Sequence, residues 1–324
     1  MPLSYQVPGL LLSRLSPAPA AIVKDLQRDL RRLGYLRAGI DGQFGKGTED
    51  AIRALQYDLL NNDGIGSDGA APVRVRDYNR SRVTAASGIL DEKLAGAIAD
   101  MLVDQQFAQV PETADPVAEN AKIAVELAAM PPAGVPIPFL LAILKQESGL
   151  KHYNDDSFVV VGLDRNAAGE PAITSRGYGV GQYTLFHHPP TPAEVQSFIL
   201  DARANVSMAL KELQEKFLHF VNGTGSGARA DDRQAEIGPG ALRPCRYASG
   251  DPRYMTDCRN CLAGAGASDI QLEPTQYHPE AEYKNVPVRK NIGCDWPYAI
   301  RRYNGSGPDS YHYQAQVLLR VLNG

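Results

Sequence analysis

The sequence lacks the features that mark several large classes of protein. It has no apolar run of the roughly 18 residues that cross a bilayer, which predicts a protein that is not membrane-embedded. Its first twenty residues contain only Leu10, Leu11 and Leu12 as an apolar stretch, so they form no clear signal peptide. A net charge of -4 and a pI near 5.9 leave no basic surplus, which argues against nucleic acid as a partner.

Metal-ligand patterns are also scarce. The six histidines show no H-E-x-x-H or similar spacing, which argues against a zinc peptidase or amidase. The four cysteines, all in the last third of the chain, are Cys245, Cys258, Cys261 and Cys294. A C-x-x-C with one cysteine on each side is compatible with two disulfides, with a zinc site or with free thiols. The flanking spacings match no defined zinc pattern, so disulfides are favoured and no metal or cofactor is predicted.

What the chain does have is the composition of a globular protein of about two domains, with 324 residues, 44% hydrophobic and 22% charged. Helical spacing predicts a first helix ended by Gly34, a second capped by Thr48 and a third over residues 91–102. Residues 61–86 are polar and glycine-rich, which predicts an inserted loop. The inward positions are Val23, Leu26, Leu30 and Leu33, then Ala51, Ile52, Leu55 and Leu59, then Leu94, Ile98 and Leu102.

This N-terminal pattern resembles the small three-helix peptidoglycan-binding domain of many cell-wall hydrolases. The matching residues are Leu26-Gln27, Leu33-Gly34-Tyr35-Leu36, Asp41-Gly42-x-Phe44-Gly45-x-Gly47-Thr48, Ala51-Ile52-x-x-Leu55-Gln56 and Gly88-Ile89-Leu90-Asp91. The resemblance implies a peptidoglycan-binding domain over residues 1–107, with a core at about 20–105, and bacterial peptidoglycan as the partner. The insertion at 61–86 departs from the usual compact form and is expected to alter the binding groove.

A proline-containing, acidic stretch follows and predicts a linker over residues 108–117, with a second domain over 118–324. Helices are predicted over 138–146, 193–217 and 310–322, the first ended by Gly149. Only residues 158–163 indicate a strand. The fold class is therefore mainly α.

Glu147 is the candidate catalytic residue. It follows the apolar helical segment Phe139-Leu140-Leu141-Ala142-Ile143-Leu144 and directly precedes Ser148-Gly149. A carboxyl group at the edge of an apolar wall is expected to have a raised pKa and to remain protonated near neutral pH. Such a group can donate a proton to a glycosidic oxygen.

Four segments, in order, resemble the lytic transglycosylases and goose-type lysozymes. They lie at residues 145–150, 177–183, 201–213 and 302–307, and residues 311–322 are similar to the closing helix of those enzymes. The resemblance covers about 118–220 and 295–324. It implies a lysozyme-like α(+β) catalytic domain with a cysteine-containing insertion at about 221–294.

The resemblance also implies roles for individual residues. Glu147 would be the general acid and base in cleavage between N-acetylmuramic acid and N-acetylglucosamine. Gln182 and Asn304 would bind substrate amides or hydroxyls, and Tyr303 would hold the Glu147 carboxyl. Tyr178 and Tyr183 would stack on sugar rings, and Ser148 would complete the substrate-binding set.

No acid stands where the goose-type lysozymes have theirs; Ile173 and Thr184 occupy those places. This favours a lytic transglycosylase, which forms 1,6-anhydromuramic ends with one glutamate. The alternative is a hydrolytic muramidase, whose second acid would come from Asp155, Asp156, Asp164 or Glu170. A non-catalytic wall-binding protein is the alternative of another class.

A wall-binding domain without a clear signal peptide predicts action in the periplasm or on the cell wall after release by a phage or delivery by a secretion system. A delivered enzyme of this kind would have an immunity or inhibitor protein as a further partner.

Overall fold

The computed structural model describes residues 2–16, 18–65, 72–129, 134–165, 170–221, 242–264, 292–305 and 308–324, and these are mainly helical. The α-helices are α1 Ala20–Arg32, α2 Lys46–Asn61, α3 Glu92–Val103, α4 Pro116–Ala129, α5 Ile137–Ser148, α6 Pro192–Glu194, α7 Ala202–Phe220, α8 Cys258–Gly264, α9 Trp296–Tyr303 and α10 Pro308–Asn323. The strands are β1 Val161–Arg165, β2 Ile173–Tyr178 and β3 Tyr183–Phe186. Within the described ranges, no helix is long and apolar enough to span a membrane.

Several helix ends lie where local sequence signals predict them. Gly34 and Gly149 both have left-handed backbone, with φ of 76° and 66°, directly after α1 and α5. Asp91 caps α3 by accepting a hydrogen bond from the Leu94 amide. The predicted cap at Thr48 is wrong: α2 begins at Lys46 after Gly45, and the Thr48 hydroxyl accepts a hydrogen bond from Gln27 instead.

The chain forms two compact units. The first contains Met1–Lys122 and Lys151–Asn205, and the second contains Ile123–Leu150 and Val206–Gly324. This division differs from the sequence-based boundary at residue 118. Residues 151–205 share one hydrophobic core with the N-terminal helices, in which Leu26, Leu55 and Ile98 are buried with Phe158 and Tyr178.

The first unit contains a three-stranded antiparallel sheet in the order β1-β2-β3. Tyr178 pairs with Tyr183 across the β2–β3 hairpin, and Gly162 pairs with Gly177. The sequence indicates only one strand near here, because β2 is buried along nearly its whole length and so has no alternating pattern.

Three other predicted segments differ from the structure. The predicted linker is paired rather than free, since the Val110 amide donates to the Arg32 carbonyl and the Thr113 amide to the Ser157 carbonyl. The long helix predicted over 193–217 is divided into α6, a π-helical segment Val195–Ile199 and α7. The described part of the inserted loop contains a short 3-10 helix, Val75–Tyr78.

The second unit is helical in its described part. α10 packs against α5, α8 and α9, and α5 also packs against α8 and α9. The rings of Phe217 in α7 and Trp296 in α9 are stacked, with centroids 4.0 Å apart. These contacts position the end of α5, where Glu147 lies.

Candidate functional site

Glu147 lies in the last turn of α5. The preceding apolar side chains, among them Phe139, Leu140 and Ile143, are buried, which fixes the helix in the second unit. The left-handed backbone of Gly149 ends the helix two residues later, so Glu147 is half-buried at the edge of the apolar layer. This is the placement that the sequence predicts.

A tyrosine from α10 holds the Glu147 carboxyl. The Tyr313 hydroxyl donates a hydrogen bond of 2.5 Å to Glu147 Oε1. Burial and the neighbouring Glu147 charge raise the pKa of Tyr313 well above its ordinary value, so the hydroxyl keeps its proton. The Tyr303 ring lies parallel to that of Tyr313, with centroids 6.5 Å apart. Tyr303 is the residue that the sequence predicts in this role, whereas no local pattern indicates Tyr313, because its contact joins residues 166 positions apart.

The same two helices are joined at the residues beside Glu147. Lys145 Nζ donates to the Gly324 carbonyl at 3.0 Å, and Arg320 Nε donates to Gln146 Oε1 at 2.8 Å. Three consecutive side chains of α5 are therefore bonded to α10 or to Gly324 directly after it. This fixes the rotation of α5 about its axis, and with it the direction of the Glu147 side chain.

A second carboxyl group belongs to this region. The Glu212 side chain in α7 is 44% exposed and forms an ion pair with Lys216 at 3.4 Å. Desolvation by the surrounding protein raises the pKa of Glu212, and Lys216 opposes this shift. Burial, and then the charges of Glu212 and Glu147, raise the pKa of Tyr303 well above its ordinary value. The charges of both carboxylates therefore raise the pKa of the same tyrosine hydroxyl.

The helix contacts account for this arrangement. Phe217, one to two turns after Glu212 in α7, stacks on Trp296 at the start of α9, and Tyr303 ends α9. Relative to this stacked pair, Glu212 lies earlier in α7 and Tyr303 lies later in α9. The Glu212 charge is close enough to raise the pKa of Tyr303. No local pattern marks Glu212, because it is one of several polar residues on a long helix.

The glycine-rich turn at 177–183 lies in the first unit and is occupied by the protein's own groups. Gln182 Nε2 donates to the Gly179 carbonyl at 2.8 Å. Its Oε1 covers Gly162 and Gly177, where any Cβ would collide with it. This corrects the prediction that the Gln182 amide binds a substrate group: it bonds within its own turn, and the glycines make room for it.

Tyr178 is fully buried, and its hydroxyl lies against Gly34. The ring has no face open to a sugar, which corrects its assignment as a stacking residue. Tyr183 is half-buried with its ring 4.9 Å from that of Phe198, centroid to centroid.

The remaining predicted binding residues have local roles in the structure. The Ser148 hydroxyl donates to the Leu144 carbonyl at 3.0 Å. Asn304 is exposed and caps the C-terminal end of α9. The end of its motif, residues 306–307, lies outside the described residues, as does most of the 221–294 insertion.

The four predicted second acids all belong to the first unit, and each has a partner there. Asp155 pairs with Lys151 at 2.8 Å and Asp156 with Arg31 at 2.8 Å. Asp164 accepts from the Ser175 hydroxyl at 2.6 Å, and Glu170 accepts from the Tyr57 hydroxyl at 3.3 Å. Their role as a second acid stays a prediction, since Asp155 is 90% exposed and Glu170 is also exposed.

A pocket of about 310 Å³ opens on the first unit. Its lining includes Leu11 and Ile89, which are 58% and 41% exposed, and polar groups from Arg82, Thr84 and Ser87. Gln56 fixes one wall by donating to the Ile89 carbonyl and accepting from the Gly88 amide. Residues 82–85 come from the inserted loop, so the insertion contributes directly to this concave surface.

Comparison with known families gives one match. Residues 20–65, covering α1 and α2, match the family described as "Putative peptidoglycan binding domain". The comparisons with curated proteins and with solved structures returned no match. This match supports peptidoglycan binding by the N-terminal helices.

Proposed function

We propose that this protein binds peptidoglycan through its first unit and cleaves the glycan strand between N-acetylmuramic acid and N-acetylglucosamine, with Glu147 as general acid. The observation that carries the proposal is the half-buried Glu147 carboxyl, fixed by the Tyr313 hydroxyl at the end of an apolar helix. A family match to a peptidoglycan-binding domain at residues 20–65 indicates the polymer on which such an acid would act.

The hydrogen bond from Tyr313 suits a proton donor. It holds Glu147 Oε1 in place and stabilises the carboxylate that forms when Glu147 gives up its proton. That proton passes to the glycosidic oxygen as its bond to C1 of N-acetylmuramic acid breaks. In the transglycosylase reaction, the 6-hydroxyl of the same sugar attacks C1, and the Glu147 carboxylate takes the hydroxyl proton. A 1,6-anhydro end forms and no water is consumed.

Glu212 supports hydrolysis as the second candidate reaction. A muramidase requires a second carboxylate that removes a proton from water or stabilises the positive sugar. Glu212 is solvent-accessible, and its charge raises the pKa of the same tyrosine, Tyr303, as the charge of Glu147 does. The four acids chosen from the sequence have their partners within the first unit instead.

Mass spectrometry of the products from purified peptidoglycan tests the proposal and separates the two reactions. Anhydromuropeptides would establish the transglycosylase, and reducing-end muropeptides, about 18 Da heavier by one water, would establish hydrolysis. If the wild-type protein sediments with the wall but releases no soluble muropeptide, the catalytic proposal is wrong and the protein is a wall-binding one.

Glu212→Gln is expected to lower the yield of reducing-end products by about 100-fold while leaving any anhydro products unchanged. The variant removes the carboxylate that would act on water but keeps the side-chain shape. The pKa of Glu212 is raised, so this base is protonated at a higher pH than an ordinary glutamate. When the pH is lowered, the wild-type hydrolytic rate should therefore begin to fall at that higher pH. Equal product ratios in the wild type and the variant would exclude this role.

Tyr313→Phe is expected to lower the cleavage rate by about 10-fold, because it removes one charge-assisted hydrogen bond and leaves the ring in place. Tyr247→Phe is the control, because it removes a hydroxyl bonded to Asp257 in the same unit. A reduced melting temperature with an unchanged rate would make Tyr313 purely structural.

The double substitution Leu11→Ser and Ile89→Ser is expected to weaken co-sedimentation with peptidoglycan by about 10-fold, because it removes the two exposed apolar side chains of the pocket. Val103→Ser is the matched control: Val103 is 80% exposed in the same unit and is not among the lining residues. Equal affinities of the double variant and the control would place the binding surface elsewhere.

A further inference from the structure

The four cysteines line one small cavity of the second unit, of about 20 Å³, together with Pro136 and Phe139 at the start of α5. In the structure all four are free thiols, and Cys258, Cys261 and Cys294 are buried. Among the described residues, no group of three or more His, Cys, Asp or Glu side chains is arranged to hold a metal ion. The thiols are gathered by tertiary structure, since Cys245 and Cys294 are far apart in sequence.

The backbone of Met255 identifies one pair. Its amide donates to Cys245 Sγ at 3.3 Å, and its carbonyl accepts from Cys258 Sγ at 3.9 Å. Both sulfurs therefore contact a single residue, whose left-handed backbone, with φ of 57°, turns the chain between them. Cys261 and Cys294 line the same cavity as this pair. With Cys258 joined to Cys245, the remaining partner of Cys294 is Cys261.

We propose that this cluster is an oxidation site that forms two disulfides, Cys245–Cys258 and Cys261–Cys294, when the protein folds in an oxidising compartment. In each pair two thiols lose two protons and two electrons, and one S–S bond forms. One molecule of a disulfide oxidant such as oxidised glutathione accepts them and becomes two thiols. The other two connectivities either separate the sulfurs that share Met255 or link Cys258 to Cys261 within α8.

The bonds would stabilise the helices that hold Glu147. α8 begins at Cys258, contains Cys261 and packs against α5 and α10, which carry Glu147 and Tyr313. Burial raises the pKa of Cys258 to about 12, so little thiolate is present in the folded, reduced protein. The bonds should therefore form during folding and only slowly after it.

The test is to refold the fully reduced, unfolded full-length chain in a buffer of reduced and oxidised glutathione, block the remaining thiols and map tryptic peptides without reduction. Trypsin cleaves after Arg246, Arg259 and Lys290, which places all four cysteines on separate peptides. We expect the Cys245 peptide linked to that of Cys258, and the Cys261 peptide linked to that of Cys294. The oxidised protein should melt roughly 5–10 °C above the reduced one.

Two double variants test each disulfide separately, so that a folding defect in one variant does not decide the result. Cys245→Ser with Cys258→Ser should leave the Cys261–Cys294 bond, and Cys261→Ser with Cys294→Ser should leave the other. Four blocked thiols after refolding, a Cys258–Cys261 bond, or one equivalent of zinc bound to the chain purified without chelator would each overturn the proposal.

Discussion

Glu147→Gln should reduce the release of soluble muropeptides from purified peptidoglycan by at least about 100-fold, the lower end of what a positioned general acid contributes. The amide keeps the size of the side chain and can still accept the Tyr313 hydrogen bond, but it cannot give a proton to the glycosidic oxygen. The measurement is the initial rate of product release, followed by liquid chromatography and mass spectrometry.

The control for this variant is Glu215→Gln in α7, a half-exposed glutamate paired with His219 at 3.0 Å. It makes the same carboxyl-to-amide change on a neighbouring helix of the unit and should keep the wild-type rate. Glu147→Gln should also retain its far-ultraviolet circular dichroism and its co-sedimentation with peptidoglycan. A variant that is folded, binds the wall and cleaves at the wild-type rate would remove Glu147 from the mechanism.

Asp58→Ala should lower the free energy of unfolding of the first unit by roughly 3–5 kcal/mol, the usual effect of removing one partner of a buried ion pair. Asp58 in α2 accepts from Arg176 Nη2 at 2.8 Å and from the Tyr35 hydroxyl at 2.7 Å. Arg176 in β2 is completely buried, so the substitution leaves its charge without a counterion. Urea denaturation followed by circular dichroism measures the change.

Asp63→Ala is the comparison for that prediction, because Asp63 pairs with Arg74 and Arg76 at a largely exposed position. Its loss should change the stability by no more than about 1 kcal/mol. If both variants unfold at the same urea concentration, the Asp58–Arg176 pair does not join α2 to the sheet as tightly as its burial indicates.

The parts of the fold that the sequence predicts are those with local causes. The left-handed glycines at 34 and 149 each act within a few residues of a helix end. The sheet is different: five of the six residues of β2 are buried, so the strand has no alternating pattern. The division of the predicted helix 193–217 was missed because apolar spacing continues through the π-helical segment Val195–Ile199.

The same distinction applies to the candidate site. Glu147 is predicted because an apolar helix and a capping glycine place it locally. Tyr313 and Glu212 reach the site only when α7, α9 and α10 pack together, which no short motif encodes. Conversely, Tyr178 and Gln182 match motifs well, but their side chains are used inside the first unit. A motif identifies a turn, whereas packing determines which groups of that turn are available to a ligand.

The shared core of the first unit limits how its N-terminal helices can be transplanted into another protein. Residues 151–205 return to the N-terminal helices through Asp58 and Arg176, and the chain passes from one unit to the other after Lys122, Leu150 and Asn205. A graft that joins the first 107 residues to another catalytic domain would leave the charge of Asp58 and one side of that core exposed. A transplantable N-terminal module must therefore carry both segments, which are separated in the chain by residues 123–150 of the second unit.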